Sequence, residues 1–160
     1  MSKPEKIRLV PDEWHIDGVG IRPDGNLIFS DSQLSYDGGT PAKVRDFFCT
    51  FVFDPDGNLI EHKIDLVGTR GEYSEDHMNE ICDQHVELLR GFKEAPIWVR
   101  PFRVEAYGEM FGLVPVSPEE LKEFDDDDDY EPSEDDWRVE FMLGNTLSFY
   151  PPWDEGGYDT

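Results

Sequence analysis

Apolar and polar positions alternate most clearly between residues 44 and 66. "VRDFFCTFVF", Val44 to Phe53, is dense in aromatic and β-branched residues, and beyond it Ile60, His62, Ile64 and Leu66 alternate with Glu61, Lys63 and Asp65. A period of two predicts strands with one buried face, and the short polar link between them predicts a hairpin. Pro55 presets φ at the first corner, Asp56 suits the next, and Gly57 supplies the positive φ that closes a bulged turn. The same hexapeptide, PDGNLI, begins at Pro23 and again at Pro55. Its first copy lies between "WHIDGVGIR" and "LIFSDSQL", so a second hairpin is predicted with Pro23, Asp24 and Gly25 in the same roles. Turn chemistry accounts for the whole repeat. An EF-hand calcium loop needs Gly at its sixth position and Glu at its twelfth, where the stretch starting at Asp54 has Leu59 and Asp65. The flanks of the two copies differ, which argues against a longer repeat.

The period changes at Ser74. Turning by about 100° per residue, Met78, Ile81, Cys82, His85, Leu88, Leu89 and Phe92 fall on one face. Ser74 is placed to cap, Glu75 and Asp76 favour the positive end, Arg90 suits the last turn and Gly91 can terminate it. One long helix over 75–90, packed across the sheet, is the expectation. His85 lies on its apolar stripe with Cys82 one turn earlier. Zinc needs further ligands, and His15, His62 and His77 carry no accompanying ligand spacing. No metal and no cofactor are expected, and His85 reads as a core histidine held by a hydrogen bond.

From Pro96 strand patterning resumes in "IWVRPFRVEAY" and "MFGLVPV", with Pro101 marking an edge or a bulge. "SPEELKEF" opens a short second helix, Ser117 and Glu120 forming a capping box with Pro118 at the first helical position. "DDDDDYEPSEDD", Asp125 to Asp136, then lacks apolar periodicity and reads as a solvated loop, before "WRVEFMLGNTLSFYPPW" supplies a last strand pair around Gly144 and Asn145. The predicted fold class is α+β: a mostly antiparallel sheet of hairpins, seven or eight strands, with one long helix on it and a short second helix before the acidic loop. Residues 1–150 form one domain with the insertion at 125–136, and 151–160 form a tail from which Trp153 folds back.

Composition changes this picture in one respect. A chain of 160 residues with 38% hydrophobic and 13% aromatic content is enough for one packed core. No apolar run approaches the roughly 20 residues that span a bilayer, and the first residues lack the apolar stretch of a signal peptide. With Cys49 and Cys82 lacking disulfide-scaffold spacing, the expectation is a cytoplasmic protein with reduced thiols. The net charge, however, is −23. Residues 1–104 carry 19 Asp/Glu against 12 Lys/Arg, whereas residues 105–160 carry 18 against 2. A field of that sign repels nucleic acid and anionic membranes and attracts basic surfaces.

No sequence feature joins a reactive group to a structural context. There is no GxSxG elbow, and "GVG" at Gly18 to Gly20 lacks the third glycine of a dinucleotide fingerprint. Catalysis is therefore not the expectation. The acidic run has three readings: a plain solvated loop, a weak calcium loop without a turn glycine, or a mimic of nucleic acid. In the last, an extended chain carries one carboxylate per ~3.3 Å, close to the ~3.4 Å spacing of phosphates along a DNA strand. The favoured function is binding to a basic protein, in the manner of an inhibitor or immunity protein that occludes a nucleic-acid-binding or toxic enzyme surface. The residues assigned to it are Asp125, Asp126, Asp127, Asp128, Asp129, Glu134, Asp135 and Asp136, extended by Glu119, Glu120 and Glu123, with Tyr130 and Trp137 as apolar anchors. Two alternatives stand beside it: a small-ligand protein or enzyme with a pocket between sheet and helix involving His85, Cys82 and Trp98, and a self-associating structural subunit.

Overall fold

A computed structural model describes residues 4–11, 18–36, 44–120, 137–142, 148–149, 153 and 158–159. The chain builds β1 (Ile7–Leu9), β2 (Gly18–Ile21), β3 (Leu27–Tyr36), β4 (Val44–Phe53), β5 (Leu59–Thr69), α1 (Glu75–Gln84), α2 (Val86–Leu89) and β6 (Lys93–Glu94). It continues with β7 (Ile97–Val99), β8 (Phe102–Ala106), β9 (Glu109–Val116), β10 (Arg138–Met142), β11 (Ser148–Phe149) and β12 (Tyr158–Asp159). One five-stranded antiparallel sheet has the order β5-β4-β3-β2-β6, a second has β12-β11-β10-β9-β8, and β1 pairs with β7 in a short third.

The two large sheets face each other across an aromatic core. Phe29, Phe47, Phe51 and Phe53 of the first sheet meet Phe102, Phe111, Leu113 and Phe141 of the second, most of them fully buried. Ring pairs cross the interface at 4.8 Å for Phe29 with Phe141, 4.7 Å for Phe51 with Phe102 and 5.3 Å for Phe47 with Phe111. Edge-on and tilted geometries of this kind add to the area burial of each ring. Pro101 falls between β7 and β8, where the chain passes from the small sheet to the second large one and no ladder hydrogen bond is lost. Trp153 accepts the Arg8 N–H at 2.9 Å through its carbonyl and packs against the core.

The long helix expected over 75–90 is not formed. α1 stops after ten residues, His85 leaves it at φ −91° and ψ −8°, and α2 is a separate four-residue turn. Ser74 does cap α1, accepting the His77 N–H at 3.1 Å. The expected seven-residue apolar face shrinks accordingly: only Ile81 and His85 are buried, while Met78, Cys82, Leu88, Leu89 and Phe92 are half-buried. Residues of weak helix propensity crowd the break, and no basic side chain steadies the last turn of α1. The imidazole of His85 bonds instead to the sheet below, so tertiary hydrogen bonds replace helical ones. The expected α+β class, one sheet of seven or eight strands under a long helix, is therefore replaced by two packed β-sheets carrying short helices, and strands make up more than half of the described residues.

Both PDGN stretches close hairpins by one scheme. The Arg22 and Asp54 N–H groups donate to Asn26 and Asn58 carbonyls, and the Gly25 and Gly57 N–H groups donate back to Arg22 and Asp54 carbonyls. The glycines sit at φ 89° and 88°. Asp54 also takes the Asn58 backbone and side-chain N–H groups, which hold its carboxyl below the usual carboxylate range. The two turns differ in surroundings. Gly25 faces open space, whereas a Cβ at Gly57 would lie 2.7 Å from the Trp98 carbonyl oxygen, and the Gly57 carbonyl accepts the Arg100 N–H at 2.9 Å. Gly25→Ala is expected to cost about 1 kcal/mol from backbone strain alone, and Gly57→Ala about 3 kcal/mol because a docked backbone must also move. Urea denaturation of both variants checks this, and equal losses would contradict it.

Candidate functional site

Two places carry the chemistry that the sequence singled out: the root of the acidic segment and the surroundings of His85.

The acidic segment leaves β9 at Val116 and returns at Arg138 of β10, and these two residues are register partners in adjacent antiparallel strands. Its ends are therefore clamped about 5 Å apart on a rigid ladder. The outgoing end is fixed by the predicted capping box: Glu120 accepts the Ser117 N–H at 2.9 Å and donates its own N–H to Ser117 Oγ at 3.2 Å. Pro118, Glu119 and Glu120 are helical, with Glu119 and Glu120 exposed, and Trp137 is half-buried at the returning end. Glu123, Asp125 to Asp129, Tyr130 and Glu134 to Asp136 lie outside the described residues.

A groove of about 430 Å³ runs along the outer face of the second sheet beside this root. Met110, Val114, Val116 and Met142 supply its apolar lining, with Glu120, Arg138 and Glu140 among its polar residues. Arg138 and Glu140 pair with each other at 2.8 Å. Cations elsewhere are matched in the same way: Arg22 with Asp24, Arg45 with Glu109, Lys63 with Asp65, Arg70 with Asp46 and Arg90 with Glu87. Acid is in surplus on the opposite layer too, where Glu72, Glu75, Asp76, Glu80 and Asp83 are exposed along α1 and its approach.

His85 is fully buried on the outer face of the first sheet. Its Nε2 lies 2.7 Å from Asp65 Oδ2 and its Nδ1 lies 2.7 Å from Thr50 Oγ1. Phe48 meets the ring edge-on at 4.7 Å. Burial pushes the imidazole below its ordinary range, more than the neighbouring Asp65 raises it. The neutral ring then donates Nε2–H to the carboxylate and accepts the Thr50 hydroxyl at Nδ1. Beyond Thr50, Ser30 Oγ lies 2.9 Å from Thr50 Oγ1 and 3.1 Å from the Cys49 carbonyl, and its one hydrogen goes to one or the other. An acid, an imidazole and a hydroxyl in line resemble a catalytic triad in composition. The hydroxyl of Thr50 is, however, wholly buried, so no substrate reaches it, and the row works as a strut between α1 and the sheet.

No family model, curated protein or solved structure matches the chain.

The residues assigned to a sheet–helix pocket are not gathered into one. Cys82 is half-buried on α1 with its thiol pushed up by burial, Trp98 is 41% exposed on β7, and neither lines the cavity beside the His85 strut. Cys49 is likewise a buried thiol raised by desolvation. Among the described residues no three His, Cys, Asp or Glu side chains converge as a metal site requires, and no helix is long and apolar enough to cross a membrane. Thr50 and Ser30 went unremarked in the sequence, and Asp65 was read only as a polar alternate of its strand; all three lie on the face of the sheet turned away from the aromatic core.

Proposed function

We propose that the protein binds a basic partner protein through its acidic segment and occludes the partner's cationic surface, as an inhibitor or immunity protein does. The observation that carries this reading is the placement of the segment: it springs from paired strand ends, next to a groove floored by Met110, Val114, Val116 and Met142. A loop tethered at both ends to a rigid ladder loses less freedom on binding than a free tail. Methionine-lined concavities adapt to apolar side chains of a partner. Residues 105–160 contain only two cations to set against 18 acids, and one of them, Arg138, is already paired. The surplus negative charge is therefore available to steer association with a basic surface and to fix its register. Glu119, Glu120 and Trp137 are at hand beside the groove to extend the contact.

The mechanism is occlusion rather than chemistry. Carboxylates of the segment replace the phosphates or anionic substrate that the partner's basic cleft would otherwise hold, and the groove accepts a neighbouring apolar side chain. Immobilised protein, presented with lysate of its own source at low salt, is expected to retain a basic protein at one-to-one stoichiometry and release it along a salt gradient. Retention that persists above about 1 M salt, where the screening length falls to about 3 Å, would contradict an electrostatic contact, as would no retention at low salt.

A further inference from the structure

A second site lies on the other sheet, independent of the acidic segment. The end of α2 and the residues after it stand off from β2, β3 and β4 over a cavity of about 320 Å³, with Gly18, Ser30, Asp31 and Ser32 towards the sheet and Phe48, Leu89 and Phe92 as apolar walls. The "GVG" of β2 is set by close packing at the rim of this cavity. A Cβ at Gly20 would collide with the Lys93 carbonyl, so this glycine lets β6 close on β2, and a Cβ at Gly18 would collide with the Ser30 backbone.

The polar character of the cavity follows from where one hydrogen goes. Ser30 has a single hydroxyl hydrogen and two protein partners, the Cys49 carbonyl at 3.1 Å and Thr50 Oγ1 at 2.9 Å. The carbonyl only accepts. With Asp65 taking Nε2–H of His85, Thr50 gives its own hydrogen to Nδ1 and can only accept from Ser30. Either way the Ser30 hydrogen stays inside the protein, and the side chain offers a newcomer lone pairs alone. A ligand bonded there must bring its own N–H or O–H. Asp31 also lines the cavity, and with the −23 net charge it favours a cation over a neutral donor, which the neighbouring rings of Phe48 and Phe92 attract as well.

We propose that this cavity binds a small organic ammonium ion, its N–H donating to Ser30 Oγ and its apolar body lying between Phe48, Leu89 and Phe92. The volume is in the range of single-ring ligands. Titration with benzylammonium at pH 7, followed by amide chemical shifts and calorimetry, tests it, with benzyl alcohol and benzoate as controls. Saturable one-to-one binding is expected, with the shifts centred on Gly18, Ser30 and Phe92. Benzyl alcohol should bind at least about tenfold more weakly and benzoate not at all. Ser30→Ala is expected to weaken benzylammonium at least about tenfold, and Leu89→Trp, at a half-buried helix end where a larger ring is accommodated, to abolish binding by filling the cavity. Absence of saturation, equal affinity for benzyl alcohol, or binding undiminished in Leu89→Trp would overturn the proposal. The last of these decides the matter even where Ser30→Ala fails to fold.

Discussion

Replacing Asp125, Asp126, Asp127, Asp128 and Asp129 together with Ser is expected to lower affinity for the basic partner about 100-fold. Five carboxylates at roughly 0.5 kcal/mol each amount to about 2.5 kcal/mol, which is nearly two decades in Kd. Most of the change belongs in a slower association rate, because charges of this kind steer encounter more than they hold the complex. The fold should be indifferent. Val116 and Arg138 pair through backbone, the groove beside them is lined by residues of β8, β9 and β10 and by Glu120, and none of these contacts needs the five aspartates. The melting temperature is therefore expected to stay within about 3 °C of the wild type, or to rise slightly as like charges are removed. A variant that binds as before would show the run to be a solvating loop.

His85→Ala is expected to destabilise the fold strongly. It removes a fully buried ring and leaves Asp65 and Thr50 without the partner each reaches at 2.7 Å. Loss of packing and of two buried hydrogen bonds together cost about 3 kcal/mol, or roughly 6 to 12 °C in Tm for a chain of this size. The pH profile carries a second mark. Burial lowers the folded-state pKa of His85 below the ordinary histidine value of about 6.5, with Asp65 and Lys63 the charged groups facing it. Between the two values the unfolded chain binds more protons than the folded one, so stability is full above about pH 6.5 and falls as the pH drops towards the folded value. Thermal melts at pH 8 and pH 5.5 are expected to show this decline in the wild type and a smaller one in His85→Ala. Partner binding by His85→Ala, measured below its melting temperature, should match the wild type. Loss of binding there would favour a site beside the helix over the acidic segment.

Much of this structure was legible where its causes are local. The two PDGN hairpins follow from Pro, Asp and Gly at fixed turn positions, and the same φ near +90° appears in both. The Ser74 cap and the Ser117–Glu120 box are equally local and equally readable. The helix over 75–90 misled because its apolar spacing was helical throughout, while the break at His85 is set by Thr50 and Asp65, which lie 35 and 20 residues away in the chain. Two facing sheets were also hidden. In β4, Phe47, Cys49, Phe51 and Phe53 point into the aromatic core while Thr50 and Val52, on the other face, are buried as well, so the strand reads as one apolar run without naming what covers each side. The glycines of β2 could be explained only once β6 and Ser30 were seen to lie against them. Of the residues proposed to bind, the charge was evident and its rooting was not. That "MFGLVPV" and "WRVEF" are neighbours across the insertion is a matter of strand register, which charge counting does not reveal.

The most direct test of the account is the salt dependence of Kd for the captured basic partner, measured with the wild type and with the five-serine variant over a range of ionic strength. The account predicts a steep rise of Kd with salt in the wild type and a much shallower one in the variant, the two converging at high salt as screening removes what the aspartates contribute. Parallel curves for the two proteins would contradict it, because the partner would then be held by something other than the acidic segment.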